Sequence, residues 1–200
     1  MRTTTALVPL AAALAVGLGL AGCSTGGAAA DHGDHGMRPS AGDGAGATWN
    51  DADVAYATGM AAHHEQAVEM SELVLAHDGL DARVADLAER IRAAQGPEIA
   101  QMEQWLEAWG ADGDMADHGD HGMAGMQSEE DLAAIRDADA DRAAVLFLEG
   151  MALHHEGALE MAEAHLEAGA DPAALALSEQ VIATQRAEVD EMRALLDELA

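Results

Sequence analysis

Lysine is absent from this 200-residue chain, and cysteine occurs once, at Cys23. One thiol rules out a disulfide framework, a thiolate zinc site of the finger type, and paired cysteine redox chemistry. Any soft metal ligand therefore has to be methionine, of which there are 11. Aromatic residues make up only 2% and β-branched residues are few, so alanine, leucine, methionine and valine have to build the core. That composition favours helix and argues against any sheet. Basic residues are scarce as well: nine arginines stand against 37 acidic residues, a formal charge of −28. Such a surface repels phosphate, so no nucleic acid is expected as a partner. It suits a solvated acidic coat that attracts cations.

The first 22 residues carry Arg2 and then an apolar run too short to span a membrane. The run ends in Leu20-Ala21-Gly22-Cys23, which resembles a bacterial lipoprotein signal. Residues 1–22 are thus expected to be removed and Cys23 to be lipidated. The mature chain would sit in the cell envelope, anchored to the outer face of the cytoplasmic membrane, or be exported. An ordinary secretory signal with a chance cysteine is the alternative. Residues 23–48 read as a flexible Gly/His/Asp-rich tether reaching on the order of 30 Å.

Residues 49–200 read as helices. Asn50 is a natural N-cap for a first helix over 51–76. A second is expected over 81–109, ending at Gly110, with a kink where Gly96-Pro97 interrupts its apolar stripe. A loose Gly/His/Met-rich loop covers 110–127, and Ser128 opens a short capped segment. A third long helix is expected from Asp139 or Asp141 to about Gly169. Asp171-Pro172, a cap followed by proline at the first helical position, starts the fourth.

The chain repeats itself twice over. Gly59 to Met70 reads GMAAHHEQAVEM and Gly150 to Met161 reads GMALHHEGALEM, identical at nine of twelve positions. The match extends into the following helices, where Met102 and Met192 correspond. A duplicated helical hairpin predicts an all-α, four-helix bundle with an approximate two-fold axis. At about 100° per residue, Tyr56, Met60, His63, Ala67, Met70 and Val74 share one stripe. Phe147, Met151, His154, Ala158 and Met161 repeat it. His64 and His155 fall at the stripe's edge, and Glu65, Glu69, Glu156 and Glu160 point outward.

Methionine at helical spacing is ordinarily core filler. Inward histidines change the balance, because buried imidazole costs free energy unless hydrogen-bonded or metal-bound. Thioether with imidazole and no thiolate favours copper, Met for Cu(I) and His for both oxidation states. Zinc is rarely held by methionine. The HExxH metalloprotease motif is absent, and so is the Glu-x-x-His spacing of di-iron carboxylate bundles. A second repeat, ADHGDHGM, occurs at 30–37 and 116–123. His32, His35, His118, His121 and Met123 there read as ligands on flexible capture arms, or else as drift in a low-complexity linker.

The doubled Met-x-x-His-His-(x)5-Met helix, followed by Ala-Gln…Glu-Ile and Thr-Gln…Glu-Val before a methionine, resembles the ferritin-like domain-of-unknown-function 305 family of bacterial envelopes. The resemblance spans about 49–200 outside the Gly-rich insert. It implies a ferritin-like four-helix bundle, copper-binding in some members. It would carry ligand roles to Met60, His63, His64, Met70 and Met102, and to Met151, His154, His155, Met161 and Met192. Gly96-Pro97 departs from the pattern, and Gly157, opposite Gln66, is a minor difference.

The sequence thus points to a lipid-anchored, extracytoplasmic copper-binding protein for sequestration, resistance or delivery, and not to an enzyme. Its partners would be the metal ion, the membrane through its N-terminal lipid and a metal-exchange protein, with a homo-oligomer left open. A structural or adaptor envelope protein whose Met/His stripe is only core is the alternative. A copper-dependent redox enzyme is a weaker one, since no further acid/base or nucleophile constellation stands out.

Overall fold

The computed structural model describes residues 48–111 and 123–199. Five helices follow one another: α1 (Asp51–Leu75), α2 (Ala82–Trp109), α3 (Glu129–Asp137), α4 (Ala140–Ala168) and α5 (Pro172–Leu199). The four long ones make the bundle expected from the duplication, and no strand is present among the described residues. Residues 1–47, which hold the expected signal segment, Cys23 and all of the expected tether but Thr48, lie outside the described residues.

Local chemistry sets the boundaries. Asn50 accepts from Ala52 N and Asp53 N, and its own N–H donates to the Asp53 carboxylate at 2.7 Å, closing a capping box on α1. Ser128 and Asp131 do the same for α3. Asp139 caps α4, and Asp171 Oδ1 accepts from Ala173 N and Ala174 N at the start of α5. Gly110 ends α2 at φ 71, a left-handed conformation that favours glycine.

The second helix runs through Pro97, which lies inside a single 28-residue helix. Proline removes the N–H that would bond to the Ala93 carbonyl. Ala93 and Pro97 are both exposed, where solvent can satisfy a carbonyl that the helix leaves unpaired.

Helices α1 and α2 pair along one hairpin and α4 and α5 along the other, and α1 packs antiparallel on α4. Across the opposite face, α2 and α5 are joined by long side chains: Arg83 to Glu198, Arg90 to Glu191, and Gln180 to Glu98. The exposed ion pairs among these add little stability. The core is apolar burial in two clusters. One holds Met70, Phe147, Met151 and Met192 with Val74, Leu87, Ile91 and Leu148, and α3 closes it with Leu132 and Ile135. The other holds Tyr56, Met60, Met102, Leu177 and Val181, with Met161 and two tryptophans at its margin. Between the two clusters lies the histidine layer.

Candidate metal site

His63 and His154 meet face to face across the α1–α4 contact, ring centroids 3.7 Å apart and tilted by 39°. Both are buried, as the stripe predicts. His64 and His155 are buried too, although the helical wheel places them at the edge. The neighbouring hairpin helix supplies the reason. Glu98 on α2 lies with Oε2 2.8 Å from His64 Nε2, and Glu188 on α5 lies 2.9 Å from His155 Nε2. These two carboxylates, contributed by α2 and α5, are not among the ligand candidates that the sequence singles out. They sit at equivalent positions of the repeat, within the Glu-Ile and Glu-Val segments, and that doubling was the available signal.

The hydrogen-bond inventory leaves the layer unsatisfied. A carboxylate only accepts, so His64 and His155 donate Nε2–H to Glu98 and Glu188. Their Nδ1 atoms are then buried lone pairs without a partner. His63 donates Nε2–H to the Ala124 carbonyl at 3.2 Å, and its Nδ1 is likewise orphaned. His154 has no partner at either nitrogen. Most buried polar atoms find a partner, so this concentration asks for a cause. Burial pushes the His63 ring down to about 4, against the Ala124 bond that raises it. Burial, with the other imidazoles adding to it, takes His154 down to about 2. Burial also lowers His155, and Glu188 opposes that shift. These rings are neutral at neutral pH, the form that ligates a metal.

The methionines flank this layer with crossed ownership. Met60 and Met102 from the first hairpin share a cluster with Met161 from the second; Met151 and Met192 from the second share one with Met70 from the first. Every bundle methionine singled out by the repeat is therefore brought to one side or the other of the histidines. Among the described residues no three His, Cys, Asp or Glu side chains form a ready metal site by themselves. The donor set that assembles is imidazole with thioether.

His32, His35, His118 and His121 lie outside the described residues. Met123 is described, and it does not belong to a free arm: its Sδ stands 3.6 Å from the place a β-carbon on Gly59 would take. Residues 123–127 form a strap across the bundle. Gln66 grips it like a β-strand partner, Nε2 donating to Gln127 O at 2.9 Å and Oε1 accepting from Gln127 N at 2.7 Å. Gly157, which the sequence presents as a minor difference, is the reason the strap lies down. A β-carbon there would stand 1.8 Å from Ala124 O.

A second buried polar group lies beyond the first methionine cluster, unanticipated in the sequence. His165 has Nε2 2.9 Å from Asp53 Oδ1 and Nδ1 2.7 Å from Ser178 Oγ, and it stacks on Tyr56 at 4.1 Å. Asp53 also accepts from Ala170 N and Asp171 N, tying the start of α1 to the α4–α5 turn. Burial pushes its carboxyl up, but the bonds from Asn50, Asp171, His165 and Ala170 outweigh that and hold it below the usual range. Their counterparts in the repeat are Val74, Ala144, Ala88 and Phe147, all hydrocarbon in the other cluster. The Ser/His/Asp set is a clasp and not a nucleophile site, because the Ser178 hydroxyl is wholly buried and donates to Ala174 O.

Residues 53–196 match the model of a family described as a domain of unknown function, DUF305. No curated protein matches the chain. A DUF305 protein of Streptomyces coelicolor described as secreted is similar in structure, with TM-score 0.69 and 30% identity over 74% of this chain and 92% of that one. A DUF305 fragment from Deinococcus radiodurans gives TM-score 0.67 and 30% identity over 74% and 97%. CopM in a Cu(I)-bound form gives 0.61 at 25% identity over 73% and 96%. In a Cu(II)-bound form it gives 0.58 at 25% over 73% and 97%.

Proposed function

The chain belongs to the DUF305 family, and on that premise we propose that it is a copper-binding protein of the cell envelope, lipid-anchored through Cys23, that sequesters or delivers the metal and catalyses no reaction. One observation carries this reading: four buried imidazoles, each with at least one unpartnered nitrogen, lie between two clusters of three methionines. Leaving such nitrogens bare in an apolar interior costs about 1–3 kcal/mol each. A metal that takes their lone pairs removes the cost.

The donor chemistry selects among metals. Neutral imidazole with thioether suits Cu(I), and imidazole also serves Cu(II). CopM, solved with each of these ions, is a similar protein. His63, His64, His154 and His155 would supply nitrogen, and Met60, Met102 and Met161 or Met70, Met151 and Met192 would supply sulfur. Glu98 and Glu188 orient their histidines from behind: each receives Nε2–H and so fixes the tautomer that leaves Nδ1 free to bind. The −28 charge draws cations toward the bundle. The description of a similar Streptomyces protein as secreted and the lipoprotein-like start of this chain support the envelope location.

An anaerobic Cu(I) titration of the mature protein against a competing chelator tests the reading. Binding that persists after the His32, His35, His118 and His121 segments are removed, and that is lost in His63→Leu with His154→Leu, is the expected result. Unaltered binding in that double variant would return the histidine layer to the role of core.

A further inference from the structure

Duplication makes the two ends of the histidine layer alike, and the strap makes them differ. Gly59 and Gly150 are equivalent glycines, one on each central helix. Over Gly59 lie the Met161 methyl, 3.1 Å from where a β-carbon would stand, and the Met123 sulfur at 3.6 Å. Over Gly150 lie the Met70 methyl at 3.3 Å and the Gln127 Oε1 at 3.0 Å. Met161 and Met70 correspond in the repeat. Met123 and Gln127 are the two ends of the strap, one delivered to each equivalent place.

We propose that the strap installs Met123 as a further Cu(I) ligand beside Met161, making one end of the site richer in thioether while the other receives the amide oxygen of Gln127. The proposal rests on the copper reading above and adds to it a ligand and an asymmetry. Several features hold the strap in this position. Gln66 binds both backbone groups of Gln127, Gln127 Nε2 donates to Gly125 O at 2.9 Å, and His63 donates to Ala124 O. Gly125 takes φ 81 and passes over α4 where a β-carbon would meet Leu153 O at 2.4 Å. Two glycines, Gly125 and Gly157, thus permit an approach that any side chain would block. Soft Cu(I) prefers thioether to amide oxygen, so the Gly59 end would fill first.

Methionine methyl NMR on the full chain, titrated anaerobically with Cu(I) alone, reads each sulfur separately. The Met123 and Met161 methyls are expected to shift together and ahead of the Met70 methyl. Met126, on the same strap but bordering an open surface depression with Leu153, Glu156 and Glu160, is expected to stay in place. Gly157→Ala, which lifts Ala124 off α4, should abolish the Met123 shift, keep the Met161 shift, and expose the Gln127 amide to hydrogen exchange. Met123→Leu, which leaves the strap seated, should remove the priority of Met161 over Met70. If Met123 stays unmoved while Met161 and Met60 shift, the strap is only a cover and the proposal fails alone. If no bundle methionine responds, the copper reading fails with it.

Discussion

Leucine at 154 and leucine at 155 should act in opposite directions, though the two histidines are adjacent and equally buried. His154 carries two nitrogens without partners, and each such group costs about 1–3 kcal/mol when buried. Leucine removes both. Against that gain stands the lost ring contact with His63, about 0.5–1.5 kcal/mol, and an imperfect shape match of up to about 1.5 kcal/mol. The apo protein should therefore gain about 1–3 kcal/mol, or roughly 3–10 °C in Tm for a bundle of this size. His155→Leu leaves the Glu188 carboxylate buried without its N–H donor, and orphaning a charged acceptor costs about 3 kcal/mol. Thermal and urea unfolding of the two metal-free variants gives the comparison. Acid provides a second reading. His154 stays neutral in the fold down to about 2, whereas the unfolded ring takes a proton below its ordinary 6.5. The wild type therefore loses stability as pH falls from 6.5, and the His154→Leu advantage should widen between pH 6.5 and 4. If His154→Leu lowers apo stability by more than about 1 kcal/mol, the ring is a satisfied core group and the case for a metal there collapses.

Four further outcomes follow from the same geometry. Met60→Leu with Met151→Leu keeps volume and apolarity, so each change should cost less than about 1.5 kcal/mol while Cu(I) affinity falls more than Cu(II) affinity, measured by chelator competition. Asp53→Asn keeps the shape but loses the charge that collects N–H groups from Asn50, Ala170 and Asp171, and urea unfolding should register about 2–3 kcal/mol of destabilisation; because the carboxyl is held low, its contribution is present above the unfolded value near 4 and disappears as pH drops through the lower folded value. Deleting residues 31–37 and 117–122, which spares the strap, should leave the fold intact and reduce the copper equivalents bound, as read by equilibrium dialysis. Cys23→Ala should shift the protein from the membrane fraction to the soluble one, as read by fractionation and blotting.

The bundle and its inward histidines were legible because duplication writes the same 3.6-residue pattern twice. A wheel drawn for one helix places His63 and Met60 correctly. It cannot place His64, since the burial of that ring is decided by Glu98 on another helix. Pro97 shows a related dependence on surroundings: α2 continues through it at a place where Ala93 and Pro97 are both exposed. Gly157 carried information that only the fold reveals. A glycine amid helix formers, opposite a glutamine in the other copy, records that a strap lies on one copy and is gripped by the other. Asp53 and His165 are separated by 112 positions, and no periodicity links them.

Each methionine cluster draws two members from one hairpin and one from the other, and the paired rings come one from each. Neither hairpin alone owns a complete set of the candidate ligands. Parted from its neighbour, each would expose its histidines and thioethers to water, so on the copper reading opening the α1–α4 seam and surrendering the ion would be the same motion. A partner that wedges between the hairpins would unload the protein without competing for any ligand. A backbone cut in the connecting loop would not, because the two pieces would still close around the metal.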